Sequence, residues 1–276
     1  MAKQQKEMSF LGHLEELRWH LVRSASAIFI LAIGFFVFAE QVYEHFLLAH
    51  IKPDFITYQL FCDFFNLFGL ESDFCNVTFE DKKLQSIKVT SQLMNSIWSS
   101  FILGIICSFP YLLWEIWRFV SPGLTKNEIS KSRGFIFIAS ILFFIGLAFS
   151  FYVIAPISVH FLYNYQISES IVNSFTLQSH IGLITNMLLG VSILFELPVL
   201  IYFLTKIGLI TPEFLKKYRK HALVVVLILA AIITPPDIAS QVIVAIPILI
   251  LYEIGIKVSK RVIKKQQKDA QKSPRV

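Results

Sequence analysis

Residues 134–155 read GFIFIASILFFIGLAFSFYVIA, and the chain carries no Lys, Arg, Asp or Glu from Gly134 until Glu169. A helix needs roughly 20 apolar residues to cross a hydrocarbon core of about 30 Å, so this stretch can span a membrane. Working outward, the stretch from Val89 to Trp114 passes the same test and is most apolar from Leu93 onward. Before it, Ser24 to Ala39 is uncharged and is extended by Leu21 and Val22. After it, Ser179 to Leu204 holds one charge, Glu196. The last apolar block, Ala222 to Tyr252, is split by Thr234-Pro235-Pro236-Asp237. Two adjacent prolines and an Asp cannot continue a helix, so the block divides into two helices joined by a tight turn. Spans are therefore expected at about 21–39, 93–114, 134–155, 179–204, 220–233 and 238–254, with Pro156 closing the third helix near Ala155. The fold class is an all-α membrane protein, a single domain over 1–276 with six transmembrane helices, the last two of them short.

Composition agrees. Of the 276 residues 55% are hydrophobic and only 16% charged, and Phe alone occurs 27 times. Mean hydropathy is +0.63. A soluble domain carries about a quarter charged residues, and disordered or collagen-like chains need far less apolar mass. The distribution of charge sets the orientation. All of the 25 Lys and Arg except Lys52, Lys82, Lys83 and Lys88 fall in the N-terminal segment, the loops after spans two and four, and the basic tail 257–276. The positive-inside rule then places both termini in the cytoplasm. The net charge of +6 reflects inner loops facing anionic lipid rather than a nucleic-acid site. Glu7, Glu15 and Glu16, ahead of the first apolar run, do not fit a cleavable leader.

Residues 40–92 form an enlarged outer loop rich in aromatic side chains. It reads either as a short amphipathic helix over 58–70 lying on the membrane or as a cap packed over the helix ends. Cys62 and Cys75 both fall in it, on the oxidising side, where a disulfide or two free buried thiols are both open. Cys107 sits in span two and reads as packed. No Cys/His grouping has metal-ligand spacing, no cofactor is expected, and there is no phosphate-binding GxxxxGK[ST]. No nucleophile–base set stands out, so an enzyme is not indicated.

Three stretches carry chemistry. Phe10, Leu14, Leu17 and Leu21 recur at helical spacing, giving an amphipathic helix along the inner membrane face with Glu15, Glu16 and Arg18 on or near its polar side. Phe119-Val120-Ser121-Pro122-Gly123-Leu124-Thr125-Lys126-Asn127-Glu128 turns at Pro-Gly and leads into span three. Glu196, in Leu194-Phe195-Glu196-Leu197-Pro198, is a carboxylate inside a span. Such a group is costly and marks either function or a packing hydrogen bond, and Pro198 kinks its helix.

At these residues the sequence resembles the TatC family, the multispan receptor of twin-arginine protein translocation. The resemblance rests on His13-Leu14-Glu15-Glu16-Leu17-Arg18, on Phe119 to Glu128, on Phe195-Glu196-Leu197-Pro198 and on Thr234-Pro235-Pro236-Asp237, and it covers nearly the whole chain. The outer loop 52–88 is longer than the family pattern.

The resemblance implies a signal-peptide receptor in a bacterial cytoplasmic (inner) membrane that binds twin-arginine signal peptides of folded proteins and nucleates a translocon driven by the proton motive force. Arginine is a planar fork that carboxylates grip bidentately. Glu16 and Glu128 match the family's acidic positions and are expected to supply the two acceptors, with Arg18 orienting a carboxylate and Phe119, Pro122 and Leu124 shaping the loop. Pairing of Glu16 and Glu128 with neighbouring basic residues is the plainer alternative. The implied partners are single-span subunits of the TatA/TatB type, docking along the last two helices near Glu196, Pro198 and Asp237, together with self-association. The competing function is a proton-coupled secondary transporter using Glu196.

Overall fold

The computed structural model describes residues 10–69, 73–76, 84–120, 132–168, 170–171, 173–234 and 238–272. Among the described residues there are only helices, turns and one isolated bridge. Hydrocarbon offers no water to satisfy peptide groups, so a spanning segment has to bond with itself, and the apolar runs become helices. Five are long and apolar enough to cross a membrane: Leu14–Val37, Ser91–Phe119, Ile136–Asn164, Leu177–Lys206 and Ser240–Lys268. The chain divides into two compact units, Met1–Val42 with Leu93–Ile141, and Tyr43–Gln92 with Leu142–Val276.

In the first unit, α1 (Phe10–Val37) is one unbroken helix of 28 residues. The amphipathic segment expected to lie along the inner membrane face is the first part of this rod, because no Gly or Pro interrupts it between Gly12 and Gly34. It meets α3 (Ser91–Val120) at Gly104, where an added Cβ would come within 2.9 Å of the Ile28 carbonyl oxygen and 3.0 Å of the Ala32 nitrogen. Close backbone approach through a small residue is how helices associate when lipid is as apolar as their side chains. Phe29 and Phe101 pack nearby, ring centroids 6.2 Å apart. Cys107 is exposed on α3 rather than packed.

The second unit opens with Tyr43–Gln92, which falls in the enlarged loop. Its helix α2 (Ile56–Leu67) is part of a cap laid on the helix ends. Tyr58, 1% exposed, donates to the carbonyls of His50 (2.7 Å) and Pro156 (3.2 Å). Thr57 donates to the Tyr152 carbonyl (2.6 Å) and His50 Nε2 to that of Phe151 (2.9 Å). The rings of Phe46, Phe55 and Phe151 pack together in the same place. Cys62 and Cys75 are joined by a disulfide, and Gln85 pairs in parallel with Thr176 at the entrance of a spanning helix.

Three expectations about helix lengths need correction. After α4 (Ser132–Phe149) the chain makes a π turn over Ser150–Ile154 and runs straight into α5 (Ala155–Asn164). Pro156 does not close the helix near Ala155. It occupies the first turn after the wide loop, where a missing N–H leaves no helical bond unmade. The last helix, α10 (Ile238–Lys272), is not short: it has 35 residues, about 52 Å at 1.5 Å per residue. The basic tail was expected as a separate segment, but Lys, Arg, Gln and Ala are good helix formers and carry the helix on to Lys272. The helix before it, α9 (Arg219–Ile233), keeps its expected brevity with 15 residues, about 22 Å.

Between these lie α6 (Leu177–Phe195), capped by the Thr176 hydroxyl, and α7 (Leu197–Lys206). Gly208 ends α7 at φ +80°, with Gly208 N–H on the Thr205 carbonyl and Leu209 N–H on that of Leu204. A residue with a Cβ would be strained in that left-handed cap. The short α8 (Pro212–Lys217) starts on the Thr211 hydroxyl with Pro212 in its first turn. α7 and α10 form the firmest contact. Ile201, Leu215, Tyr252 and Ile256 make a buried cluster, and a Cβ on Gly255 would fall 2.4 Å from the tip of Ile201. Thr205 and Ser259 share a hydrogen bond of 2.8 Å, and Gln266 donates to the last carbonyl of α7, Lys206 (3.1 Å).

Two tests address the cap. Opening the disulfide by Cys62→Ala with Cys75→Ala frees a 13-residue separation and should lower cap stability by up to about 3 kcal/mol, read as faster hydrogen exchange over 43–67. His50 is wholly buried, and burial lowers its pKa from 6.5 to about 4, outweighing the Phe151 carbonyl, which acts in the opposite sense. The unfolded cap therefore takes up a proton that the folded cap refuses. Stability is full above about pH 6.5 and is lost as the pH falls toward 4, by at most about 3 kcal/mol. His50→Gln should flatten that pH dependence in thermal unfolding, and an unchanged slope would contradict the assignment.

Candidate functional site

In the first unit the N-terminal part of α1 and the C-terminal part of α3 bring together residues that pair. Glu115 on α3 is 1% exposed. Its carboxylate oxygens are divided between two partners. The Tyr111 hydroxyl, one turn earlier, donates to Oε1 at 2.8 Å, and His20 of α1 bonds Oε2 through Nδ1. A carboxylate is an acceptor only, so Nδ1 carries the hydrogen. Arg23, three residues beyond His20 and so on the same face, adds positive charge to this carboxylate. Phe119 turns its ring edge-on to His20, centroids 6.1 Å apart, and Arg118 lies over the Trp114 ring at 5.5 Å.

Of the residues singled out in the sequence, Glu16 lies one turn before His20 and is half-buried, while Arg18 is exposed. Phe119 closes the described part of α3 against His20. Pro122, Leu124 and Glu128 lie outside the described residues, as does Asp237. The contact of Glu16's helix with the end of α3 is thus visible, and the remainder of the acidic pair is not. His20, Tyr111 and Glu115 were missed in the sequence reading. The available signal was Glu115 itself, an acid adjoining the uncharged run that ends at Trp114.

In the second unit, Glu196 stands at the joint between α6 and α7 with φ −75° and ψ −3°. Pro198 cannot donate a helical hydrogen bond, so the chain tightens there: Glu196 N–H reaches the Ile193 carbonyl, and Val199 and Leu200 both donate to the Glu196 carbonyl. Both carboxylate oxygens are buried against the Phe143 backbone without a hydrogen bond of normal geometry among the described residues. Nearby, an added Cβ on Gly146 would meet Phe195 side-chain carbons at 2.8 Å, so α4 and α6 touch at the joint. The polar group nearest its carboxylate is the Phe143 backbone of the neighbouring α4.

Among the described residues no group of three or more His, Cys, Asp or Glu could hold a metal ion.

The chain matches the family profile "TatC: Sec-independent protein translocase protein (TatC)" over residues 12–247. It is 40% identical over 266 residues to the Sec-independent protein translocase protein TatC of Blattabacterium sp. subsp. Periplaneta americana, covering 96% of this chain and 100% of that one. It is 34% identical to the TatC of Helicobacter pylori strain ATCC 700392 / 26695 (91% and 87% covered) and 31% identical to the TatCy of Bacillus subtilis strain 168 (96% and 93%). Among solved structures, a crystal structure of the twin arginine translocase receptor TatC superposes with a TM-score of 0.69 at 29% identity, over 91% of this chain and 99% of that one.

An unpartnered buried polar group costs about 1–3 kcal/mol. Glu196→Leu should therefore raise the thermal unfolding temperature in detergent. A fall instead would mean that the carboxylate has a stabilising partner.

Proposed function

The chain belongs to the TatC family of Sec-independent protein translocase proteins, and from that membership we propose that it is the receptor core of a twin-arginine translocation complex. It spans a bacterial inner membrane six times with both termini in the cytoplasm, α9 being the short fifth span. It binds the signal peptides of folded proteins and nucleates a translocon driven by the proton motive force.

Glu16 and Glu128 grip the two guanidinium groups of the signal peptide. The observation that carries this reading is the contact between His20 and the end of α3, one turn from Glu16 on one side and ending at Phe119 on the other. Glu16 lies one helical turn from His20, and in sequence the chain continues from Phe119 through Pro122 and Leu124 to Glu128. Two carboxylates suit two arginines because each guanidinium presents paired donors, and a lysine ammonium cannot fill that fork. Arg18, exposed one turn ahead of Val22, balances the acidic face and orients a carboxylate.

Glu196, Pro198 and Asp237 form the second working region, where single-span partners of the TatA/TatB type dock. A carboxylate without a partner at a broken helix is a group that a polar residue on an incoming helix could satisfy. The related twin arginine translocase receptor, 29% identical to this chain, supports the reading.

Crosslinking a twin-arginine peptide to the full-length protein tests the assignment. Glu16→Ala and Glu128→Ala should each abolish most of the Arg–Arg-dependent crosslink, and each Arg→Lys change in the peptide should cost about 1–3 kcal/mol. Glu196→Gln should leave the crosslink intact and reduce export. A crosslink indifferent to the arginines would favour the proton-coupled transporter instead.

A further inference from the structure

We propose that His20 and Glu115 are positioning residues for the arginine site: their bond fixes the rotation and height of α1 and so determines where Glu16 presents its carboxylate. The inference rests on Glu16 being an arginine-gripping acid, as proposed above.

The geometry leads there in four steps. Glu16 and His20 are four residues apart on one helix and share a face, so a bond at His20 sets the heading of Glu16. The His20 partner is sealed: Glu115 is 1% exposed and the His20 side chain 12%, and the exclusion of water strengthens a bond between them. The carboxylate cannot rotate freely, because Tyr111 holds Oε1 and leaves Oε2 to His20. The surrounding α1 surface offers little other purchase, since Leu14 is 45%, Trp19 57% and Leu21 61% exposed.

A bidentate grip tolerates only about 0.5 Å and 10–20° of error, which an unsecured helix end could not hold. Phe119, edge-on to His20, ties the start of the Glu128 segment to the same anchor. The charges acting on the anchor are Arg23 from α1, which acts on Glu115 and Tyr111, and Arg118 from α3, which acts on Tyr111.

The test measures Kd of the full-length receptor for a labelled twin-arginine peptide and for its twin-lysine counterpart, with thermal unfolding as a folding check. His20→Ala and Glu115→Leu should each weaken the twin-arginine peptide about tenfold and drop the arginine-over-lysine preference toward that of Glu16→Ala. The double variant should be no worse than either single one, because both remove one bond. His20→Arg, which returns a cation opposite Glu115, should stay within about threefold of wild type. If Glu115→Leu does not fold, His20→Ala and His20→Gln carry the comparison. Weaker binding with the preference retained would mark a merely structural role and overturn the proposal. So would unchanged binding in both variants while Glu16→Ala loses it. Unchanged binding in Glu16→Ala itself would instead refute the underlying assignment of Glu16.

Discussion

Hydrocarbon supplies no hydrogen bonds, and that constraint governs nearly everything in this protein. It forces each apolar run to close its own peptide bonds, and it removes the usual reason for helices to associate, since lipid tails are as apolar as Leu and Ile side chains. What remains is close approach and the occasional buried polar contact. Both recur in each unit. Gly104 lets α3 reach the backbone of α1, Gly146 lets α4 reach α6, and Gly255 admits Ile201. The polar contacts are few and short: Ser158 with Ser240 at 2.7 Å, Thr205 with Ser259 at 2.8 Å. Glu196 differs in being a carboxylate buried at a helix joint.

The cap and the start of α6 meet the same constraint with buried imidazoles. His50 and His180 each point Nε2 at a backbone carbonyl, of Phe151 and Leu47 respectively, so each must carry its hydrogen there. His180 then accepts the Tyr163 hydroxyl at Nδ1, whereas His50 has Nδ1 buried without a partner. A charged side chain in either place would bear a desolvation cost far larger than one hydrogen bond returns. Imidazole is polar enough to hold a carbonyl and can remain uncharged among Phe55, Phe151 and Tyr58 while doing so.

The spanning runs were legible because they are long and uncharged; Gly134 onward admits no other reading. The acidic motifs stood out only through a family's pattern. Helix ends were less legible. Pro156 looks like a stop in one dimension, and only the π turn over Ser150–Ile154 explains why it is not. The tail after Lys257 looks like a solvated run of charge, and only its join to an unbroken helix, with Gln266 fixed to Lys206, makes it part of the fold. The His20–Glu115 bond joins residues 95 apart in sequence, and no local pattern encodes such a pairing. Glu115 was hidden by standing next to Trp114, where the eye takes a span to end.

The α7–α10 contact also has a bearing on biosynthesis. Ile201 and Thr205 leave the ribosome well before Gly255 and Ser259, the residues they lock onto. The earlier helices must wait in the bilayer with that seam open. In water an uncovered apolar seam would invite aggregation during the delay. In lipid the acyl chains cover it at little cost, so the helix that closes the seam can be made after the one it closes on.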